Sequence, residues 1–202
     1  MTYIAFEGIK GSGKSTLVDS VRGQLARQGV PFVPVDPTRP LCPAHPLELL
    51  ARVPGLRGWD PFEERLYQHR SHAHGRRLQR PPHPLVIGDR SVVTTIVTRW
   101  SRTWRYGVEG WVQRCLAGAP SLRPPDHLVW VDVPVDEAVR RCARRGRSYG
   151  GTDEQRARLS ETRAAMEALM ERPPPPLART RWHRLDGTAS PESLRAQALS
   201  LI

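Results

Sequence analysis

Apolar positions along the chain fall into short dense runs separated by longer stretches with helical spacing. The first run, Tyr3 to Phe6 behind Met1, reads as a strand. From Ser15 to Gln28, Leu17, Val21 and Leu25 recur every fourth residue and Gly29 follows, which predicts an amphipathic helix with a glycine stop. "VPFVPVDP" (residues 30–37) is an apolar run cut by prolines and predicts a second strand ending at Asp36. Residues 38–60 are rich in proline and glycine, with a short helix expected from His45 to Arg52. "FEERLYQHRSHAHGRRLQ" predicts a long helix from Phe62, and "PLVIGDR" a third strand with Asp89 at its C-terminal edge. "HLVWVDVP" (residues 127–134) is continuously apolar, as strands buried on both faces are, and predicts a fourth. Helices are expected over Asp136–Arg145 and Asp153–Glu171. The prolines at 173–176 then break the chain before a weak fifth strand, Arg181–Leu185, and a closing helix, Ser190–Leu201.

Strands alternating with helices predict an α/β fold, a three-layer αβα sandwich around a five-stranded parallel sheet with right-handed crossovers. In such sheets ligands bind beyond the carboxyl ends of the strands. Those ends carry Glu7-Gly8, Asp36, Asp89-Arg90 and Asp132. A length of 202 residues suits one domain over 1–202. With 39% hydrophobic and 25% charged residues the composition is that of a globular protein. No apolar run approaches the roughly 20 residues of a membrane span, and the N-terminus enters a strand without a basic leader, so no membrane association and a cytoplasmic location are expected. Cys42, Cys115 and Cys142 lack metal-ligand spacing, and reduced thiols are expected. A formal net charge of +11 raises the question of nucleic acid. The basic residues are nevertheless dispersed and nearly all arginine, so nucleic acid is not the expected partner. The only lysines are Lys10 and Lys14, in one loop.

That loop is "FEGIKGSGKST", in which Gly8 to Ser15 fits G-x-x-x-x-G-K-[ST] between a predicted strand and a predicted helix. Gly8, Gly11 and Gly13 let the backbone around Ser12 turn its N–H groups toward an anion, and the helix carrying Thr16 in its first turn points its positive end there. Lys14 is placed to reach β- and γ-phosphates, a role a planar guanidinium does not replace. Ser15 is expected to ligate Mg2+ through its hydroxyl, and Asp89 is the best second metal-organising residue, so ATP and Mg2+ are the expected cofactors. Asn-Lys-x-Asp, the base-reading motif of switch GTPases, is absent because no lysine follows Lys14. A small chain with Arg90 beside the strand-terminal Asp89 favours phosphoryl transfer over hydrolysis.

"FEGIKGSGKSTL", "LYQHR", "VIGDR", "PDHLVWVDVPVDEAVRRCARRGR" and "RLDGTASPESL" occur in the order and spacing of the thymidylate kinase family of P-loop kinases, and the resemblance runs over essentially the whole chain. Deoxynucleoside kinases share the fold, and "DRS" at 89–91 is similar to their Glu-Arg-Ser signature. The resemblance implies a single P-loop kinase domain with a helical lid over residues 143–155. It implies that Arg90 binds and orients the acceptor's phosphate, that Asp89 helps hold the magnesium shell, and that Arg70 faces the acceptor's ring. Arg144, Arg145 and Arg147 would be lid arginines, with Arg144 on ATP and Arg145 or Arg147 closing over the transferring group. Gly11 stands where some members carry a catalytic arginine, which fits that lid arrangement. Gly187 and Thr188, in "DGTAS", would line the adenine side. Dimerisation is common in the family, so a homodimer is within expectation.

Departures from the family concentrate on the acceptor side. Lys10 stands where an acidic residue is usual near the acceptor's sugar, and an ammonium accepts no hydrogen bond from a hydroxyl. "VDPTR" replaces Arg-Glu-Pro-Gly-Gly, so Asp36 takes the Glu position, Val35 the arginine position, and Arg39 arrives later. Thr98 and Arg99 stand where many members show Tyr-Gln. Added charge at Lys10, Arg39 and Arg99 suits an anionic small molecule, and a nucleoside monophosphate is the expected acceptor. Asp36 leaves open a second reading, a general base on the hydroxyl of a nucleoside or small metabolite. A third reading is an ATP-binding regulatory protein without transfer activity, against which Lys14, Ser15, Asp89 and Arg90 speak. His69 and His72 share a helix face that His74 does not, so solvated or acceptor-lining histidines are expected there rather than a metal site. Trp100, Trp104 and Trp111 are expected in core or lid packing, and Asp132 in support of the loop rather than in catalysis.

Overall fold

The computed structural model describes residues 1–53, 55–56, 59–78, 85–145 and 154–202, with the side chains of Asp60 and Leu78 left aside. Strand β1 (Thr2–Glu7) exposes only its first residue. Helix α1 (Lys14–Arg27) follows Gly13, whose φ of 87° is a left-handed turn that glycine adopts at little cost. Its Leu17, Val18, Val21 and Leu25 form the buried face. Strand β2 is Val33–Val35 alone, shorter than the 30–37 run. Pro31, Pro34 and Pro37 donate no ladder hydrogen bond, which confines pairing and suits an edge strand. Helix α2 (Pro46–Leu50) is capped by the His45 ring, which accepts from Leu47 N at 3.3 Å.

Helix α3 (Asp60–Leu78) leads to β3 (Leu85–Asp89), then α4 (Val92–Thr98) and α5 (Thr103–Ala117). Strand β4 (His127–Asp132) is followed by α6 (Val135–Arg144), α7 (Arg156–Glu171), β5 (Arg181–Asp186) and α8 (Pro191–Leu199). Residues 91–126 carried no predicted element. Their first part, "VVTTIVT", is a β-branched run that resembles a strand, yet Ser91 caps it as a helix by accepting from Val93 N. Tertiary burial of Val92, Val93, Ile96 and Val97 outweighs propensity there. The second part is masked by Gly107, whose φ of 69° and ψ of 168° kink α5. The remaining predicted elements are present with ends shifted by a few residues, and the start of the 153–171 helix lies outside the described residues.

All five strands are parallel, in the order β2-β3-β1-β4-β5. The chain crosses from β3 over β1 to reach β4, so the direction of winding reverses beside β1, the place where an open parallel sheet leaves a crevice at its carboxyl edge. Alternation assigns the faces. Ile4, Phe6, Ile87, Val129 and Val131 pack with α1 and α8. Leu128 and Trp130 pack with α4, α5 and α7. Helices therefore cover both faces, as in three αβα layers, with eight α-helices among the described residues. None of the described helices is long and apolar enough to cross a membrane.

Candidate functional site

The glycine loop closes directly after β1. Gly11 and Gly13 both have φ of 87°. A Cβ on Gly11 would lie 2.4 Å from the Ala138 carbonyl oxygen, and one on Gly8 2.7 Å from that of Val131. The loop is thus seated against α6 and β4 with no room for a Cβ at Gly8 or Gly11, and Ser12 N donates to Ile9 O at 3.2 Å to tighten the turn. Lys14 is 5% exposed and forms an ion pair with Asp89. Burial, followed by the Arg90 guanidinium, pushes its ammonium well below the ordinary lysine range. The Ser15 hydroxyl donates to Asp89 Oδ2 at 3.3 Å. Thr16 is exposed in the first turn of α1, and Lys10 is half-buried.

Beside this loop, β3 delivers Asp89 and then Arg90, the one described non-glycine residue with positive φ, at 85°. Arg90 Nη1 donates to Gly8 O at 2.8 Å and lies 3.4 Å from Glu7 Oε2. Arg39 Nη2, mostly exposed, approaches Asp89 Oδ2 at 3.5 Å. Lys14, Ser15, Arg39, Asp89 and Arg90 thus meet at the carboxyl edge of β1 and β3. The Ser15 hydroxyl and Asp89 carboxylate are hard oxygens on neighbouring elements, a donor set that fits Mg2+ completed by phosphate oxygens and water. Among the described residues there is no cluster of three or more His, Cys, Asp or Glu that could hold a metal alone.

The other acceptor-side candidates are engaged within the protein. Asp36 accepts from Arg22 at 2.8 and 3.3 Å, while Arg22 also donates to Ile87 O. Arg70 donates to both oxygens of buried Glu48, at 2.7 and 2.6 Å, and to Thr38 O at 2.6 Å. That fork braces the segment after β2, which places Arg70 in a structural fork in this conformation. Arg99 is 9% exposed, 3.5 Å from Glu63. Of the histidines, His74 Nδ1 accepts from Asp36 N at 3.3 Å and its Nε2 lies 3.0 Å from Arg39 O, whereas His72 meets Ser121 and His69 stacks on His45. Trp111 is core and donates to Ile96 O, but Trp104 is 92% exposed, contrary to packing. Asp132 is held by Arg163 and Arg184.

On the far side of the loop an open cavity of about 600 Å³ is lined by Pro134, Asp136, Glu137, Arg140, Arg141 and Thr188. Arg141 Nη1 donates to Gly187 O at 3.0 Å and Ser12 O at 3.3 Å, tying the "DGTAS" turn to the loop. A Cβ on Gly187 would lie 2.6 Å from Val133 Cγ1, which explains glycine at that turn. Arg144 ends α6 and Arg145 follows it, exposed; Arg147 lies outside the described residues. Sequence reasoning missed Glu7 as a site residue, and with it Arg22 and Arg141. Only the strand-end position of Glu7 and the helical spacing of Arg141 from Glu137 were signals. No protein-family model matches the sequence, and no curated protein matches it either.

Proposed function

We propose that the protein is a magnesium-dependent kinase with a P-loop kinase fold of the thymidylate kinase type, transferring the γ-phosphoryl group of ATP to a nucleoside monophosphate in the cytoplasm. The observation that carries this reading is the meeting of Lys14, Ser15, Asp89 and Arg90 at one sheet edge, between the cavity at Arg141 and Thr188 and the cationic group at Arg39.

The ATP base takes the Arg141–Thr188 cavity, and its phosphates lie along the loop toward Lys14. Ser15 and Asp89 would hold Mg2+, which would supply positive charge among the phosphates. Lys14 leaves Asp89 for the β- and γ-oxygens, and Arg90 fixes the acceptor's phosphate on the opposite side. As charge spreads over the equatorial oxygens of a loose transition state, positive groups already in place lower the barrier. Arg145, exposed just after α6, would close over the transferring group and help exclude water. The hydroxyl-kinase reading is less favoured because both oxygens of Asp36 already accept from Arg22, so the carboxylate is engaged where a general base would need a free oxygen within reach of the attacking hydroxyl.

The test is ADP release by the purified protein with ATP and Mg2+, scanned over nucleoside monophosphates, nucleosides and no acceptor. A monophosphate should stimulate release, and Lys14→Ala should lose about 10²-fold or more. Stimulation by a nucleoside alone would sink the proposal.

A further inference from the structure

Glu7 is fully buried at the last position of β1, directly before the glycine loop. Its Oε1 accepts from Ser91 N at 2.8 Å, Ser91 Oγ at 2.9 Å and Thr94 Oγ1 at 2.9 Å. Its Oε2 accepts from Thr94 Oγ1 at 2.8 Å and faces Arg90 Nη1 at 3.4 Å. A carboxylate removed from water is costly unless it gains several such donors. The donors come from the elbow that joins β3 to α4 and from the first turn of α4.

That elbow is where the backbone is strained. A left-handed conformation at a residue with a Cβ persists only when its surroundings over-determine it. At Arg90 they do. Arg90 N donates to Phe6 O at 3.0 Å, Ser91 N to Glu7, and the Tyr67 hydroxyl to Ser91 O at 2.6 Å. Relaxation of this turn would redirect the guanidinium, which now lies along Gly8.

We infer that Glu7 is a positioning residue for the acceptor: it locks Arg90 in its left-handed elbow and aims the guanidinium at the acceptor's phosphate. The inference rests on the phosphotransfer reading above. The Glu7→Gln side chain keeps one oxygen for Ser91 but presents an NH2 to Arg90 Nη1, donor against donor, so it loosens the arginine and spares the cap.

Calorimetric binding of thymidine monophosphate and of ATP is measured for the wild type, Glu7→Gln, Arg90→Ala and the double variant, beside ADP release. Glu7→Gln should weaken monophosphate binding roughly tenfold, as loss of a charge-assisted contact does, and change ATP binding by no more than about twofold. Added to Arg90→Ala, it should cost nothing more, since coupled residues are non-additive. Equal weakening of both ligands in step with lost thermal stability, or an additive double variant, overturns the inference. If Glu7→Gln does not fold, Thr94→Val enters the same cycle with the same expected pattern. A wild type that neither binds a monophosphate nor releases ADP with any acceptor refutes the functional reading itself, a result visible before any variant is made.

Discussion

Gly11 shows how much a single position can carry. Two independent features exclude a side chain there: the backbone sits at φ 87°, and a Cβ would fall 2.4 Å from a main-chain oxygen of α6. The neighbour is backbone, so no rotamer change relieves the clash. Gly11→Ala should displace the loop from α6 and weaken ATP binding by at least about tenfold, with a stability loss of about 1–3 kcal/mol. Calorimetry and thermal melting check both; unchanged ATP affinity would mean that the loop's seat on α6 is irrelevant to the nucleotide. Glycine spacing made this loop legible in the sequence. What spacing could not reveal is the surface it lies on, because Ala138 is remote in the chain and nothing about an alanine advertises its carbonyl.

Among the elements, the turn after β2 depends on a histidine from another helix. His74 clips Asp36 N and Arg39 O onto α3, and burial holds its pKa below the ordinary 6.5. The folded ring is neutral, while the unfolded chain gains a proton near 6.5. Between the folded value and 6.5 the unfolded state binds more protons, so stability from this residue is present above about pH 6.5 and is lost as pH falls toward the folded value. His74→Gln, which can still donate and accept, should flatten the fall in melting temperature between about pH 7 and 5. Parallel curves would show that other groups set the acid response. Elements with continuous apolar runs, β1 and β4, were plain from sequence, and so were the helices with four-residue spacing. The β-branched α4 was not, because its helical state rests on a Ser91 cap and burial rather than on propensity. Nor were the ion pairs of Arg70 with Glu48 and Arg22 with Asp36, which join residues with no common periodicity.

At the scale of the molecule, β5 is one of the sheet's two edges, joined to β4 alone. Asp132 ties that edge to the rest: Arg184 of β5 reaches it at 2.6 Å and Arg163 of α7 at 2.7 Å, with the Arg184 guanidinium 4.7 Å over the Trp130 ring. Because Arg184 is partly solvated, Asp132→Asn should cost only about 1–2 kcal/mol. Hydrogen exchange should accelerate in β5 and leave β1 unchanged; uniform acceleration would assign the carboxylate a global role. The chain's amine inventory adds one more handle. Every lysine lies in the glycine loop, Lys10 half-buried and Lys14 almost closed off behind Asp89. Isotopically labelled lysine would therefore mark only two side chains, both in the glycine loop, so that the arrival of a phosphate at Lys14 could be watched in solution without a foreign probe.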